Sequence, residues 1–169
     1  VATRPDGRDT LVVYGVPVGP HLPAINVGKS VGRNLRTLGA ADGILAGEGV
    51  RLAITGRRRE KLEELKAEIV AANDPAPAVI VHDAMDNGYP SAVAQQALDA
   101  LGKVEILVNN AGGSRPFKID ASEEQWNEAL TLNFTRHRQL THALLDQMIA
   151  NGWGRIINIT GKSEPESIN

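Results

Sequence analysis

The stretch Val104-Glu105-Ile106-Leu107-Val108-Asn109-Asn110-Ala111-Gly112 decides the fold of this 169-residue chain. It begins with an apolar run, interrupted by one glutamate, that is typical of a buried strand. The two asparagines at its end carry hydrogen-bond donors and acceptors, which can tie neighbouring strand ends together. The alanine and glycine that follow let a flat molecule approach the backbone closely. The stretch therefore predicts a strand whose end belongs to a binding site.

Length and composition limit the classes of protein to which the chain can belong. A length of 169 residues suits one domain, predicted over residues 1–169. The net charge of −2 provides no basic field for nucleic acid, and no apolar run is long enough to span a bilayer. There is no cysteine for disulfides or thiolate chemistry, and no secretory signal pattern. We therefore expect a cytoplasmic protein without nucleic acid or membrane as a partner.

Five short apolar runs alternate with helical patterns along the chain. This alternation predicts a parallel sheet with helices on both of its faces. The predicted strands are Leu11–Tyr14, Arg51–Thr55, Ala78–Val81, Val104–Val108 and Arg155–Thr160. The predicted helices are Arg59–Ala72, Ser91–Leu101 and a long one that begins at Ser122 and ends at Asn151-Gly152.

The long helix has the clearest start signal. Ser122 and Gln125 have the spacing of a capping box, in which the two side chains bond to each other's backbone N–H groups. Helical periodicity then predicts an inward face. That face consists of Trp126, Leu130, Leu140, Leu144, Leu145 and Met148.

Asn109-Asn110-Ala111-Gly112 resembles the Asn-Asn-Ala-Gly signature of the short-chain dehydrogenase/reductase family. The resemblance extends from Gly49 to Thr160. It implies an α/β fold, a Rossmann-like doubly wound parallel sheet with strand order 3-2-1-4-5, incomplete at its C-terminal end. In that family the signature lies beside the nicotinamide cofactor. The resemblance thus implies that Asn109, Asn110, Ala111 and Gly112 bind the cofactor.

A dinucleotide-binding fold also needs a glycine-rich turn after its first strand, where backbone N–H groups meet the pyrophosphate. Two stretches compete for this part, and each keeps two of the three family glycines. Gly15 and Gly19 follow the better strand, whereas Gly28 and Gly32 are better spaced from the next one. We predict Gly15 and Gly19 as cofactor residues and regard residues 15–49 as atypical.

The choice of cofactor depends on the end of the second strand, where a carboxylate would bind a ribose hydroxyl and arginine a 2′-phosphate. No acid occurs there, and Arg57 and Arg58 can fork onto a phosphate. A basic helix start is also disfavoured unless an anion is near. The sequence therefore favours NADP, with NAD as the alternative.

Asp83 follows the third predicted strand. It resembles the family aspartate that hydrogen-bonds the adenine amine, and we include the next residue, Ala84, in the predicted cofactor site. The alternative is an aspartate that caps a turn at a strand end.

The catalytic residues match the family less well than the cofactor residues. Asn133 is a poor helix former inside a helix, and the resemblance implies that it bends that helix and holds a water of a proton relay. Gly161 stands where the family has its catalytic Ser, so Thr160 and Ser163 are the candidate hydroxyls. The family's Tyr and Lys are expected beyond Asn169, which indicates a truncated chain.

Other chemistries match poorly. Gly28-Lys29-Ser30 lacks the first glycine of a nucleotide triphosphatase loop, since Pro23 stands there, and the four histidines have no metal-ligand spacing. We expect a homo-oligomeric NADP(H)-dependent oxidoreductase that transfers hydride between its cofactor and a small carbonyl or alcohol substrate. The alternative is a catalytically inactive cofactor-binding or interaction protein of the same fold.

Overall fold

A computed structural model describes residues 10–14, 51–71, 75–112 and 120–158 of the chain. The strands in these ranges are β1 (Thr10–Tyr14), β2 (Arg51–Gly56), β3 (Ala78–Val81), β4 (Ile106–Asn109) and β5 (Arg155–Asn158). The α-helices are α1 (Arg59–Ala71), α2 (Tyr89–Leu101), α3 (Glu123–Leu130) and α4 (Arg136–Ala150). A π-helical turn, Thr131–Thr135, joins α3 to α4.

The strands form one parallel sheet with the order β3-β2-β1-β4-β5, which confirms the predicted topology. Strand β1 lies between β2 and β4. From β1 the chain winds outward to β2 and β3 on one side, and it then returns to add β4 and β5 on the other side. In open α/β sheets, ligands bind outside the carboxyl ends of the strands at such a switch point. The topology alone therefore marks the edge at which the site is to be sought.

Both faces of the sheet are covered, as the alternation of strands and helices predicts. Successive strand residues point to opposite faces, and Ala53 and Leu107 pack with α2 and α4 on one side. Their neighbours Ile54 and Val108 pack with α1 on the other. Each fully buried leucine or isoleucine contributes about 1.5–3 kcal/mol to this core. The doubly wound arrangement thus comes from two separate apolar clusters.

Some boundaries differ from the predicted ones. Helix α2 begins at Tyr89 rather than Ser91, because Pro90 suits the first turn of a helix. Strand β4 begins at Ile106 rather than Val104, whose backbone bonds instead to the side-chain amide of Gln147 on α4. The predicted ends of α1 at Ala72 and of β5 at Thr160 lie outside the described residues.

The long helix is not continuous, and part of its predicted inward face is wrong. Its start is confirmed, since Ser122 and Gln125 form the capping box. Trp126 and Leu130, however, are each 53% exposed, and Leu145 is only partly buried. The π-helical turn adds one residue to the helix and rotates α3 by about 100° relative to α4. The rest of the predicted face is buried: Leu140, Leu144 and Met148.

Candidate functional site

Parallel register brings several predicted site residues to one edge of the sheet. Tyr14 of β1 pairs with Thr55 of β2 on one side and with Asn109 of β4 on the other. Asn109 pairs in turn with Asn158 of β5. Asp83 lies just beyond β3 at the same edge. The carboxyl ends of the strands thus form one continuous rim at the switch point.

Asn109 joins three elements of this rim. Its side chain is fully buried, and its Nδ2 donates to Asn158 Oδ1 at 2.9 Å and to Thr141 Oγ1 at 3.1 Å. The amide therefore ties β4 to β5 and to α4, as an asparagine at a strand end can do. Neither partner was predicted from the sequence. The available signal was a polar residue, Asn158, inside the apolar run of the last predicted strand.

Two buried oxygens at this rim have no hydrogen-bond partner among the described residues. One is Asn109 Oδ1, and the other is Thr55 Oγ1 at the end of β2. Buried polar atoms are nearly always hydrogen-bonded, so each such exception needs an explanation. A polar molecule bound at the switch point would supply the missing partners. The rim thus fits a dinucleotide better than an apolar ligand.

Asn133 lies in the π-helical turn and packs against the signature. Its Nδ2 donates to Ala129 O at 2.9 Å, which holds the side chain to the preceding helical turn. Its Oδ1 would be 2.9 Å from a Cβ placed on Gly112, closer than real side chains come. The absence of a side chain at residue 112 therefore makes room for the Asn133 amide. The structure brings Asn133 and Gly112 together, and their catalytic and cofactor roles stay predictions.

Substituting Gly112 by alanine should displace the exposed Asn133 side chain and weaken its bond to Ala129 O, lowering the free energy of unfolding by about 0.5–1 kcal/mol. Gly88→Ala is the matched control, since a Cβ there has nothing within 4 Å. Urea unfolding of both variants measures the difference. Equal stability of the two variants would contradict the close approach of Gly112 and Asn133.

His137 contacts the signature from the next turn of the helix. Its Nε2 lies 2.6 Å from Ala111 O, and because a carbonyl only accepts, Nε2 carries the hydrogen. Burial lowers the pKa of His137 below the ordinary 6.5, and the bond to Ala111 raises it by less. From the sequence, this histidine was assessed only as a metal ligand. Its spacing of four from Asn133 was the signal that the two share a helix face.

The lowered pKa of His137 predicts a pH dependence of folding. Below about pH 6.5 the unfolded chain binds the proton more readily than the folded one, so protonation favours unfolding. The contribution of neutral His137 to the free energy of unfolding is complete above that pH, and it is lost as the pH falls toward the pKa of His137 in the folded state. His137→Asn should flatten this slope, measured by urea unfolding at about pH 7.5 and 5.5. An unchanged slope would show that His137 is not the group responsible.

The two arginines after β2 differ in their surroundings. Arg57 is exposed, whereas Arg58 is half-buried and its buried Nε has no hydrogen-bond partner in the part of the chain that the structure describes. Arg58 forms no ion pair with a carboxylate of the described ranges, while Arg59 lies 3.9 Å from Glu63. Arg58 thus places an uncompensated positive charge at the start of α1, beside the end of β2. Such a charge suits a bound anion.

Asp83 begins a turn after β3. Its Oδ1 accepts from Met85 N at 2.9 Å, and its carbonyl accepts from Asp86 N at 3.1 Å. The turn-capping interpretation is therefore seen in the structure. The other carboxylate oxygen has no hydrogen-bond partner among the described residues, so it remains able to accept from an adenine amine. That contact, and the inclusion of Ala84, stay predictions.

Four predicted site residues lie outside the described residues. They are the glycine-loop candidates Gly15 and Gly19 and the candidate hydroxyls Thr160 and Ser163. Within the described part of the chain, no cluster of three His, Asp or Glu side chains has the arrangement of a metal site. The helices described here include none with the length and apolarity needed to cross a bilayer.

Comparison with known proteins agrees with this geometry. Residues 38–166 match the family model described as short chain dehydrogenase. Dehydrogenase/reductase SDR family member 7B of Bos taurus is 34% identical over 118 residues, which are 66% of this chain and 36% of that protein. The chain spans roughly a third to a half of the length of the curated relatives that it matches.

Two solved structures show the fold. A 7α-hydroxysteroid dehydrogenase complexed with NADH and 7-oxo glycochenodeoxycholic acid has a TM-score of 0.72 at 24% identity, covering 95% of this chain and 57% of that one. YwfH, an NADPH-dependent reductase involved in bacilysin biosynthesis, has a TM-score of 0.73 at 21% identity, covering 94% and 61%. Both likenesses extend over nearly all of this chain.

Proposed function

Because this chain belongs to the short-chain dehydrogenase family, we propose that it forms the cofactor-binding part of an NADP(H)-dependent oxidoreductase. The reaction is hydride transfer between the cofactor and a small carbonyl or alcohol substrate. The observation that carries the proposal is the set of strand ends around Asn109, whose buried Oδ1 has no hydrogen-bond partner within the described part of the chain. One of the two similar structures is a complex with NADH, and the other is of an NADPH-dependent reductase.

The preference for NADP rests on Arg58. Within the described ranges, its buried Nε has no hydrogen-bond partner and no carboxylate neutralises its charge. Arg57 and Arg58 would hold the 2′-phosphate, and Asp83 would accept from the adenine amine. Gly15 and Gly19 would meet the pyrophosphate, while Asn110, Ala111 and Gly112 would lie beside the nicotinamide. The bound cofactor supplies or accepts the hydride.

The residues of the chain orient and support this site. Asn109 locks the ends of β4 and β5 together, so the backbone that follows it is held in place. Gly112 leaves room for Asn133, whose amide would hold a water of the proton relay. Thr160 or Ser163 would offer the hydroxyl for the reacting oxygen. Acid chemistry also needs a group with a pKa tuned to the task, and in the proposal the family's Tyr and Lys supply it in the whole protein.

Cofactor titration tests the proposal directly. NADPH binding is followed by its fluorescence, and hydride transfer by absorbance near 340 nm with a panel of ketones and alcohols. We expect NADPH to bind about 10- to 100-fold more tightly than NADH, the effect of one charge-assisted contact. Failure to bind either dinucleotide would overturn the cofactor part, and equal affinities would overturn the NADP preference.

A catalytically inactive cofactor-binding or interaction protein is the second candidate. The observation that favours it is Gly161, which stands where the family has its catalytic Ser. NADPH binding by the whole protein without turnover of any panel member would support this candidate, whereas turnover would exclude it. Gly161→Ser gives a further test, since added activity would show that the position retains its catalytic geometry. The cytoplasmic location and homo-oligomeric state belong to the same proposal and rest on the sequence alone.

A further inference from the structure

Arg136 is a buried cation that the sequence analysis did not single out. It is the first residue of α4 and is only 5% exposed. Its Nε donates to Ala84 O at 2.7 Å, and its Nη2 donates to Met85 O at 3.1 Å and to Asn87 Oδ1 at 3.2 Å. A fourth bond joins Nη1 to Gln139 Oε1 at 2.8 Å. Three of the four bonds thus hold one short segment, 84–87, which lies about 50 residues earlier in the chain.

The cost of burying this side chain indicates a specific role. Arg136 has no ion pair with a carboxylate in the described ranges, and its partners are neutral carbonyl and amide oxygens. Removing a guanidinium from water is expensive, and hydrogen bonds to all of its donor groups are needed to offset that cost. A neutral side chain would fill the same space without the penalty. The charge strengthens each bond to the segment, so the arginine holds it firmly.

The segment that Arg136 holds is the turn begun by Asp83. Asp83 Oδ1 accepts from Met85 N, and Asp83 O accepts from Asp86 N. The carbonyls of Ala84 and Met85 both accept from the guanidinium. The peptide group between these two residues is therefore bonded at both ends, through its C=O to Arg136 and through its N–H to Asp83. The orientation of the Asp83 carboxylate therefore depends on a side chain from the opposite part of the sequence.

We propose that Arg136 is a positioning residue for cofactor recognition. It fixes the turn after β3 so that the Asp83 carboxylate is aimed at the exocyclic amine of the adenine. Arg136 also follows directly on the π-helical turn that carries Asn133, so one side chain connects the adenine end of the site to the signature end. This inference rests on the proposed function.

The test compares NADPH with its hypoxanthine analogue, in which a carbonyl replaces the exocyclic amine. The chain itself should bind NADPH about tenfold more tightly than the analogue, since Asp83 then loses its donor. Arg136→Met, which keeps much of the volume but none of the donors, should reduce this ratio to about twofold. A folded Arg136→Met variant that keeps the full ratio would overturn the proposal. So would equal weakening of both ligands, which is the result of a merely structural role.

Arg138→Met is the matched control, because Arg138 is an exposed arginine on the same helix and should keep the tenfold ratio. If Arg136→Met does not fold, Arg136→Lys retains a charge but not the fork of donors, and its ratio should also fall. A Lys variant with the full ratio would likewise overturn the inference.

Amide hydrogen exchange separates this inference from the proposed function. In the absence of cofactor, Arg136→Met should speed exchange at Met85 and Asp86 by about tenfold, because their turn loses its support. If the chain binds neither nucleotide but Arg136→Met still speeds exchange, the proposed function fails, while the conclusion that Arg136 holds the turn remains. Unchanged exchange in the folded variant would show that Arg136 does not hold the turn.

Discussion

Replacing Arg58 by alanine should weaken NADPH binding by about 10- to 100-fold and change NADH binding by less than about twofold. A hydrogen bond to a charged group contributes about 1.5–3 kcal/mol, and each 1.4 kcal/mol is a tenfold change in affinity. NADH has no 2′-phosphate, so it loses nothing when the guanidinium is removed. Fluorescence titration with both nucleotides measures the selective loss.

The structure offers a close control for this experiment. Arg59 carries the same charge one residue later, but it is exposed and lies near Glu63. Arg59→Ala should therefore leave the affinity for NADPH nearly unchanged, because exposed ion pairs contribute little. Equal loss in the two variants would mean that the general positive field attracts the nucleotide. Equal loss of NADPH and NADH in Arg58→Ala would mean that the residue does not recognise the phosphate.

Replacing Asn109 by alanine should lower the free energy of unfolding by about 2–3 kcal/mol and weaken NADPH binding as well. The substitution removes two side-chain hydrogen bonds, each worth about 1 kcal/mol, and leaves a buried cavity beside the sheet. The ends of β4 and β5 then lose their side-chain connection, so the signature that follows β4 is held less firmly. Urea unfolding gives the stability, and NADPH titration gives the effect on the site.

Asn127→Ala is the control for the same change of side chain at an exposed position on α3. Its effect on the free energy of unfolding should stay within about 0.5 kcal/mol. If Asn109→Ala is no more destabilising than this control, the buried amide network does not stabilise the fold. If it destabilises the chain but leaves NADPH affinity intact, the network supports the sheet and not the site.

Local patterns were enough to predict the sheet. The runs around Ile54, Ile80 and Leu107 are apolar on both sides, as parallel strands covered by helices must be. Because side chains alternate between the two faces of a strand every two residues, a run of a few residues is enough to recognise a strand. The start of α3 was equally clear, since Ser122 and Gln125 lie within one turn and cap each other.

The inward face of α3 was beyond the sequence pattern. Trp126 and Leu130 have helical spacing with Leu140, yet they are exposed because the π-helical turn breaks the phase between them. A π turn adds a single residue to the winding, and its presence depends on how α3 and α4 pack. A search for helical periodicity assumes a constant number of residues per turn, so it does not detect such an insertion.

The sequence by itself determined the class of fold, the order of the strands, and the strand ends at which Asn109 and Asp83 lie. The fold class and the strand ends depend on hydrophobic patterning and on local hydrogen bonding, which act over a few residues, whereas the strand order was implied by the resemblance to the short-chain dehydrogenase/reductase family. Only the tertiary structure decided that Asn158 bonds to Asn109, that His137 bonds to Ala111 and that Arg136 holds the turn after Asp83. These partners are 26 to 52 residues apart in the chain. They meet because parallel register aligns the strand ends and the helices cross back over the sheet.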